Sequence, residues 1–230
     1  GLTWAFWPGE TGPEPVAPVA KQKQYHYGSP ESAANLAAAI EISHETNRRL
    51  AEIHDYTARM TKRERVNGEL IPQEEMQVKI REKPFSVYVR HTRPESKAGQ
   101  EAIYVDGRND NKLVAHAMGA GAVLGRLNLN PTGWLAMMGN LHPITDIGLR
   151  NLIRQLLEMA EKKRDYLLKC HIEIVEDAEL NGRPCRKRYL RSKAPSKDFR
   201  MAVVQSYFDK EWQVPVHDEA YDCPPGHADG

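Results

Sequence analysis

The sequence predicts an α+β domain in which helices cover one face of a large antiparallel sheet. The first observation is strict alternation of apolar and polar residues over many short runs, which is typical of a sheet with one packed and one solvated face. The second is the presence of Asn-Gly dipeptides beside such runs, because Asn-Gly is a strong hairpin signal. The third is the order helix, strands, helix, strands, which lacks the strand–helix–strand alternation of parallel sheets.

The first helix is predicted over residues 30–54. Ser29 followed by Pro30 is a typical helix start, because the serine hydroxyl accepts a hydrogen bond from the first turn and proline needs no N–H there. Apolar residues then recur at helical spacing, namely Leu36, Ile40, Leu50 and Ile53.

A first series of strands is predicted after this helix. Turns are indicated at Asn67-Gly68 and at Asp106-Gly107. The apolar positions of the alternating runs are Met76, Val78 and Ile80, then Phe85, Val87 and Val89, then Ile103 and Val105, with a further run over residues 112–117.

A second helix is predicted to start near Thr145, whose hydroxyl would cap it, and Ile144 and Leu149 have the spacing of a hydrophobic staple. Its apolar face would be formed by Leu149, Leu152, Ile153, Leu156, Leu157 and Ala160. Further strands are predicted over residues 166–176, 184–191, 199–208 and 213–222, with a hairpin turn at Asn181-Gly182.

The segment between the two halves, residues 128–149 (NLNPTGWLAMMGNLHPITDIGL), is rich in apolar residues but has neither the helical nor the strand period. Pro131, Gly133, Gly139 and Pro143 divide it into turns, so that each apolar side chain can point inward independently. Two interpretations remain open. The residues Trp134 to Met138 either complete the core or line a cavity.

The domain organisation is read from composition. Residues 1–28 are predicted to be a flexible tail, because residues 9–28 are rich in proline and glycine and poor in large aliphatics. One domain is expected over residues 29–223 and a disordered tail over 224–230. The first residues, GLTWAFWPG, are apolar and unpatterned, which suits the remnant of an export or anchor segment.

Composition excludes several classes of function. A net charge of +1 gives no general reason to expect a nucleic-acid partner. No catalytic, nucleotide-binding or metal-binding motif has the required spacing, so we expect no enzyme, no cofactor and no metal. Three cysteines without a C-x-x-C pair make neither a disulfide scaffold nor a zinc site, and the hairpin register argues against a bond between Cys170 and Cys185; Cys223 is the third.

One local charge feature stands out. The stretch from Arg183 to Arg200 carries eight basic residues against Asp198 alone, and it can contact a phosphate or another anion. The alternative is a solvated strand face, partly neutralised by the acidic residues that precede it.

From Asp55 onward the order of signals resembles a known superfamily. The stretches YTARMTKRERVNGELIPQEEMQVKIREKPFSVYV, GQEAIYVDGRNDNKLVAHA and FDKEWQVPVHDEAYD are similar to the LolA-like lipoprotein-carrier and outer-membrane lipoprotein-sorting superfamily. The closer resemblance, which includes LNPTGWLAMMGN and HPITDIGLRNLI, is to a bacterial envelope family of unknown function that is a distant member of that superfamily.

The resemblance implies an incomplete half-barrel, a curved antiparallel sheet wrapped around helices, with a hydrophobic cavity between them. It also implies a periplasmic or envelope location, reached by export, with an anchor before Gly1 as one form of attachment. Residues 118–143 and the basic stretch depart from the carrier pattern.

On this basis we expect a non-enzymatic binding protein that holds a lipid, an acylated protein or another apolar ligand, with burial of acyl chain contributing about 0.8 kcal/mol per methylene. The residues expected to line its cavity are Val87, Val89, Ile103, Val105, Leu129, Trp134, Leu135, Met137, Met138, Leu152 and Leu156. Those expected to contact a head group or a membrane-associated protein partner are Arg183, Arg186, Arg188 and Arg191. The alternative is a protein–protein interaction or sensor module whose half-barrel is filled by its own side chains.

Overall fold

The computed structural model describes residues 2–7, 24–118, 123, 125–193 and 201–222, and for residues 2–7 it describes the backbone only. Cys223, the predicted tail at 224–230 and the basic residues Lys197 and Arg200 lie outside the described residues. The chain forms two compact units: unit 1 comprises Gly1–Gly9 and Leu50–Leu152, and unit 2 comprises Glu10–Arg49 and Ile153–Gly230.

Unit 1 is built on an antiparallel sheet with the strand order β1-β2-β5-β6-β7-β8-β9. Its strands are β1 (Leu2–Trp7), β2 (Asp55–Arg63), β5 (Glu74–Arg81), β6 (Ser86–Arg93), β7 (Glu101–Val105), β8 (Leu113–His116) and β9 (Arg126–Leu129). The short strands β3 (Arg65–Val66) and β4 (Glu69–Leu70) pair separately around the predicted Asn67-Gly68 turn. Both turn residues have positive φ, as the turn type that suits hairpins requires.

Unit 2 combines helices with an antiparallel sheet in the order β10-β11-β12-β13. Its elements are α1 (Pro30–Leu50), α2 (Leu149–Lys162, whose first turn falls in unit 1), α3 (Arg164–Leu167), β10 (His171–Leu180), β11 (Arg183–Arg191), β12 (Met201–Asp209) and β13 (Pro215–Asp222). The core of this unit is the buried cluster of Leu36, Ala160, Leu167, Cys170 and Ile172. The predicted α+β class, with unclosed antiparallel sheets, is confirmed.

The start of α1 is fastened to the free edge of β10. Ser29 caps the helix as predicted, its Oγ accepting a hydrogen bond from the Ser32 N–H at 3.0 Å. The Ile172 N–H of β10 donates to Ser32 Oγ at 3.2 Å, and the Asn35 side chain donates to the Ile172 carbonyl at 2.9 Å. Because an unpaired strand edge invites association with other chains, these side chains both anchor the helix and cover the edge.

Three local predictions are wrong. Residues 2–7 form a strand, with Thr3 opposite Arg63 and Trp7 opposite Arg59, because a short apolar run without a helical period is equally compatible with a strand. The predicted strand from residue 166 starts only at His171, since α3 occupies Arg164–Leu167. Thr145 lies in a 3-10 turn outside α2, and the Leu149 N–H at the helix start donates instead to the Tyr56 hydroxyl at 2.7 Å.

Candidate ligand-binding pocket

A pocket opens in unit 2 between the helices and the strands β10, β11 and β12. It contains about 540 Å³ of space free of protein atoms, its open mouth included. Its apolar walls are formed by Leu36, Ala39 and Ile40 of α1, Leu156, Met159 and Ala160 of α2, Leu167 of α3, Ile172 of β10, Leu190 of β11 and Val204 of β12.

The periodicity of each element places these side chains at the pocket. On α1, Leu36, Ile40 and Ser43 follow each other at helical spacing and therefore share one face. On the sheet, Leu190 lies opposite Val204 in the register of β11 and β12. Residues two positions apart on a strand share a face, so the pair formed by the next residues on that face, Arg188 and Ser206, also borders the pocket.

Arg188 is the one cationic side chain among the residues that line the pocket. Its Nη1 atom donates to the Ala39 carbonyl at 3.1 Å and to Ser43 Oγ at 2.7 Å, both on α1. Its guanidinium lies over the ring of Phe208, 4.1 Å from the ring centroid. Within the described part of the chain, no hydrogen bond involves its Nε or Nη2 atoms.

The charge of Arg188 has no direct counter-ion in the described residues. Desolvation lowers its pKa to about 10, although the charge of Asp218 acts in the opposite direction, so the guanidinium stays protonated at neutral pH. Asp218 lies two strands away on the same sheet rung and accepts a hydrogen bond from Ser206. Burial raises the pKa of Asp218, against the opposing effects of the Ser206 hydrogen bond and the charge of Arg188.

The other three predicted arginines have partners elsewhere. Arg183 binds Asp209, with Nε 2.5 Å from Oδ2, and Arg186 binds Glu176, with Nε 2.8 Å from Oε2. Arg191 lies over the Tyr25 ring at 4.6 Å, and strand alternation places it on the face of β11 opposite to Arg188. Arg188 is therefore the member of the predicted set that the fold brings to the pocket.

The apolar residues predicted on the unit 1 strands fall on two faces. Val87 and Val89 are buried, and Leu129 lies opposite the buried Leu113. Ile103 and Val105, however, lie opposite Tyr88 and Ser86, which places them on the other face of the sheet. The sequence pattern shows which residues of one strand share a face. It does not show which residues of the neighbouring strand lie on that same face of the sheet, because this depends on the register of the pair.

The residues predicted on the connecting segment and on α2 are also separated. Trp134 is 77 % exposed, and Leu135 and Met138 are exposed as well, whereas Met137 is half-buried. Leu152 lies in the part of α2 that belongs to unit 1. Leu156 alone of the predicted apolar set lines the unit 2 pocket.

A buried ionic cluster in unit 1, which the sequence analysis missed, holds the connecting segment in place. The Leu141 N–H donates to Glu64 Oε2 at 3.0 Å, and the Lys62 ammonium donates both to that carboxylate at 3.4 Å and to the Asn140 side chain. Glu74 accepts hydrogen bonds from Lys97 and His91. Burial lowers the pKa of His91, against the opposing effect of Glu74.

The described residues also bear on metal binding, disulfide bonding and membrane insertion. They contain no cluster of three or more His, Cys, Asp and Glu side chains arranged to hold a metal ion. Cys170 and Cys185 are buried free thiols, in agreement with the expectation that they are not bonded to each other. Among the described helices, none has the length and apolar character needed to cross a bilayer.

Comparison with known proteins places the chain in a family. One similar solved structure is a DUF1329 family protein from Desulfovibrio piger, with a TM-score of 0.38 and 12 % identity; the match covers 82 % of this chain and 74 % of that chain. Another is a putative outer membrane lipoprotein-sorting protein domain from Vibrio parahaemolyticus, with a TM-score of 0.38 and 15 % identity; the match covers 81 % of this chain and 73 % of that chain. No curated protein matches the chain significantly. Residues 53–230 match the model of a family described as "Protein of unknown function (DUF1571)", and the chain therefore belongs to that family.

Proposed function

We propose that the protein is a non-enzymatic binding protein that takes the apolar chain of a lipid or acylated molecule into the unit 2 pocket. The observation that carries the proposal is an open, apolar pocket that the described side chains of unit 2 leave unfilled. Removing an acyl chain from water there provides the affinity, at about 0.8 kcal/mol for each methylene buried. A location in the bacterial cell envelope follows from the sequence resemblance and belongs to the same proposal.

The first test asks whether the pocket binds an apolar molecule at all. The purified full chain is extracted with organic solvent, the extract is examined by mass spectrometry, and the protein is titrated with the uncharged fluorescent probe N-phenyl-1-naphthylamine. We expect a co-purifying lipid or saturable probe uptake at one site. A clean extract together with no saturable uptake would overturn the proposal and support the interaction module predicted as the alternative.

Two matched variants locate the binding site. Leu156→Trp fills the pocket, whereas Leu135→Trp makes the same change at an exposed residue of the connecting segment. We expect probe uptake to be lost in the first variant and kept in the second. Ala39→Leu, a smaller change at the pocket wall, is expected to reduce uptake and covers the case in which Leu156→Trp does not fold. The reverse pattern would move the site to the connecting segment.

A further inference from the structure

Arg188, which is half-buried, brings a charge into a pocket whose other lining side chains are uncharged. Burying a charge is costly unless a counter-ion or a set of hydrogen bonds compensates it. The described residues supply two acceptors on α1, and both are bound to the same atom, Nη1. They place no carboxylate within 4.0 Å of the guanidinium, and Asp218, whose charge acts on Arg188 from two strands away, accepts its hydrogen bond from Ser206.

The two remaining donors of Arg188 have a defined geometry. Nε and Nη2 lie on the same side of the planar guanidinium and together form one of its forks, which matches the two oxygens of a carboxylate. Nη1 meanwhile ties the group to Ala39 and Ser43, and the ring of Phe208 packs against its face. The side chain is thus held with one fork free of protein acceptors in the described part of the chain.

We propose that Arg188 binds the carboxylate of a single-chain amphiphile, such as a fatty acid, whose hydrocarbon chain occupies the pocket. The inference rests on the proposed function and adds the chemical class of the ligand. One cation among the lining residues matches a head group with a single negative charge. The apolar walls contributed by α1 and α2 match one hydrocarbon chain.

The ion pairs of the basic stretch also bear on where the head group binds. Arg183 and Arg186 are neutralised by Asp209 and Glu176, so a head group bound at the surface would compete with these existing ion pairs. A carboxylate inside the pocket instead meets the Nε and Nη2 donors of Arg188, which have no acceptor among the described residues. The head group is therefore expected at the wall of the pocket beside α1.

The test compares two ligands of equal chain length. Dodecanoate and dodecan-1-ol are titrated against the full chain by displacement of N-phenyl-1-naphthylamine. We expect dodecanoate to bind about 10–100-fold more tightly than the alcohol, because hydrogen bonds to a charged group are worth about 1.5–3 kcal/mol. Arg188→Met should abolish the preference, so that dodecanoate and dodecan-1-ol bind with similar affinity.

Arg186→Met is the matched control, since it removes the same charge from the same face of β11 two residues away, outside the pocket. It should keep the preference for the acid. If Arg188→Met does not fold, Arg188→Lys keeps the charge but loses the fork, and the preference should fall at least several-fold. Equal affinity of acid and alcohol in the wild type, or a preference that survives both Arg188 substitutions, would overturn the inference. Failure of both ligands and of the probe would overturn the proposed function itself.

Discussion

Filling the pocket from its wall should stabilise the protein. Ala39 is half-buried at the pocket, and Ala39→Leu adds three carbons, each worth about 0.8 kcal/mol when buried, or roughly 2.4 kcal/mol in all. Ordering the leucine side chain costs about 0.5–1 kcal/mol, and leucine and alanine are both good helix formers. The free energy of unfolding should therefore rise by about 1–2 kcal/mol.

The assay is urea unfolding of the ligand-free protein, followed by circular dichroism, with a thermal scan alongside. For a chain of this size a gain of 1–2 kcal/mol corresponds to roughly 2–8 °C in Tm. The control is Ala220→Leu, at a buried alanine of β13 that does not line the pocket, where the extra carbons should cost about 1–3 kcal/mol by overpacking. If Ala39→Leu is destabilised as strongly as Ala220→Leu, the space assigned to the pocket does not exist.

Three further predictions concern other buried groups. Glu64→Gln should lower the free energy of unfolding by about 1.5–3 kcal/mol, because it removes the carboxylate that lies 3.4 Å from the buried Lys62 ammonium and leaves Glu74, at 3.8 Å, as the counter-ion. Limited proteolysis should then cut near residue 141 sooner than in the wild type, because the Leu141 N–H loses its charged acceptor; unchanged cleavage would show that the cluster does not hold this segment. Burial raises the pKa of Asp209, but hydrogen bonds from Arg183 and from two backbone N–H groups outweigh it, so the pKa lies below its usual value. The ionised carboxylate therefore contributes its full stability above the unfolded pKa of about 3.9, and this contribution is lost as the pH falls through the folded pKa. Asp209→Asn should lack this pH-dependent loss in acid unfolding, and acid-unfolding profiles identical to those of the wild type would contradict the prediction. Burial raises the pKa of the Cys170 thiol to about 11 and also raises that of Cys185, so both thiols should react slowly with an alkylating reagent at pH 8. Peptide mass mapping should find both cysteines unlabelled in the native protein and labelled in urea. Rapid labelling of the native protein would show that they are not buried.

Local signals in the sequence were sufficient for much of the fold. Asn181-Gly182 closes the β10–β11 hairpin with Leu180 opposite Arg183, and both turn residues have the positive φ that the dipeptide predicts. Ser29 caps α1, and the alternating runs of unit 1 form strands. Each of these features depends on residues close together in the chain, so the physical cause is visible in the sequence.

The features that were missed depend on distant partners. The start of α2 is set by the Tyr56 hydroxyl, 93 residues away from the Leu149 N–H. In the sequence, Glu64 and Glu74 look like ordinary charged residues of strands. Their buried cluster forms only where β2, β5 and the connecting segment meet in the folded protein. Long-range pairs of this kind leave no periodic signal.

The candidate site was only partly predictable. Arg188 was one of the four arginines predicted to contact a head group, and choosing it requires knowing which face of β11 meets the helices. One local signal was available, because Ser43 is a polar residue on the apolar stripe of α1, at helical spacing from Leu36 and Ile40. A polar residue in such a position indicates a polar partner across the interface, and that partner is Arg188.

The most direct measurement is the crystal structure of the protein with dodecanoate. The account predicts the hydrocarbon chain in the unit 2 pocket, in contact with Leu36 and Leu156, and the carboxylate at hydrogen-bond distance, about 2.7–2.9 Å, from Nε and Nη2 of Arg188. Dodecanoate bound beside Trp134, or bound in the pocket with its carboxylate turned away from Arg188 towards the solvent, would contradict it.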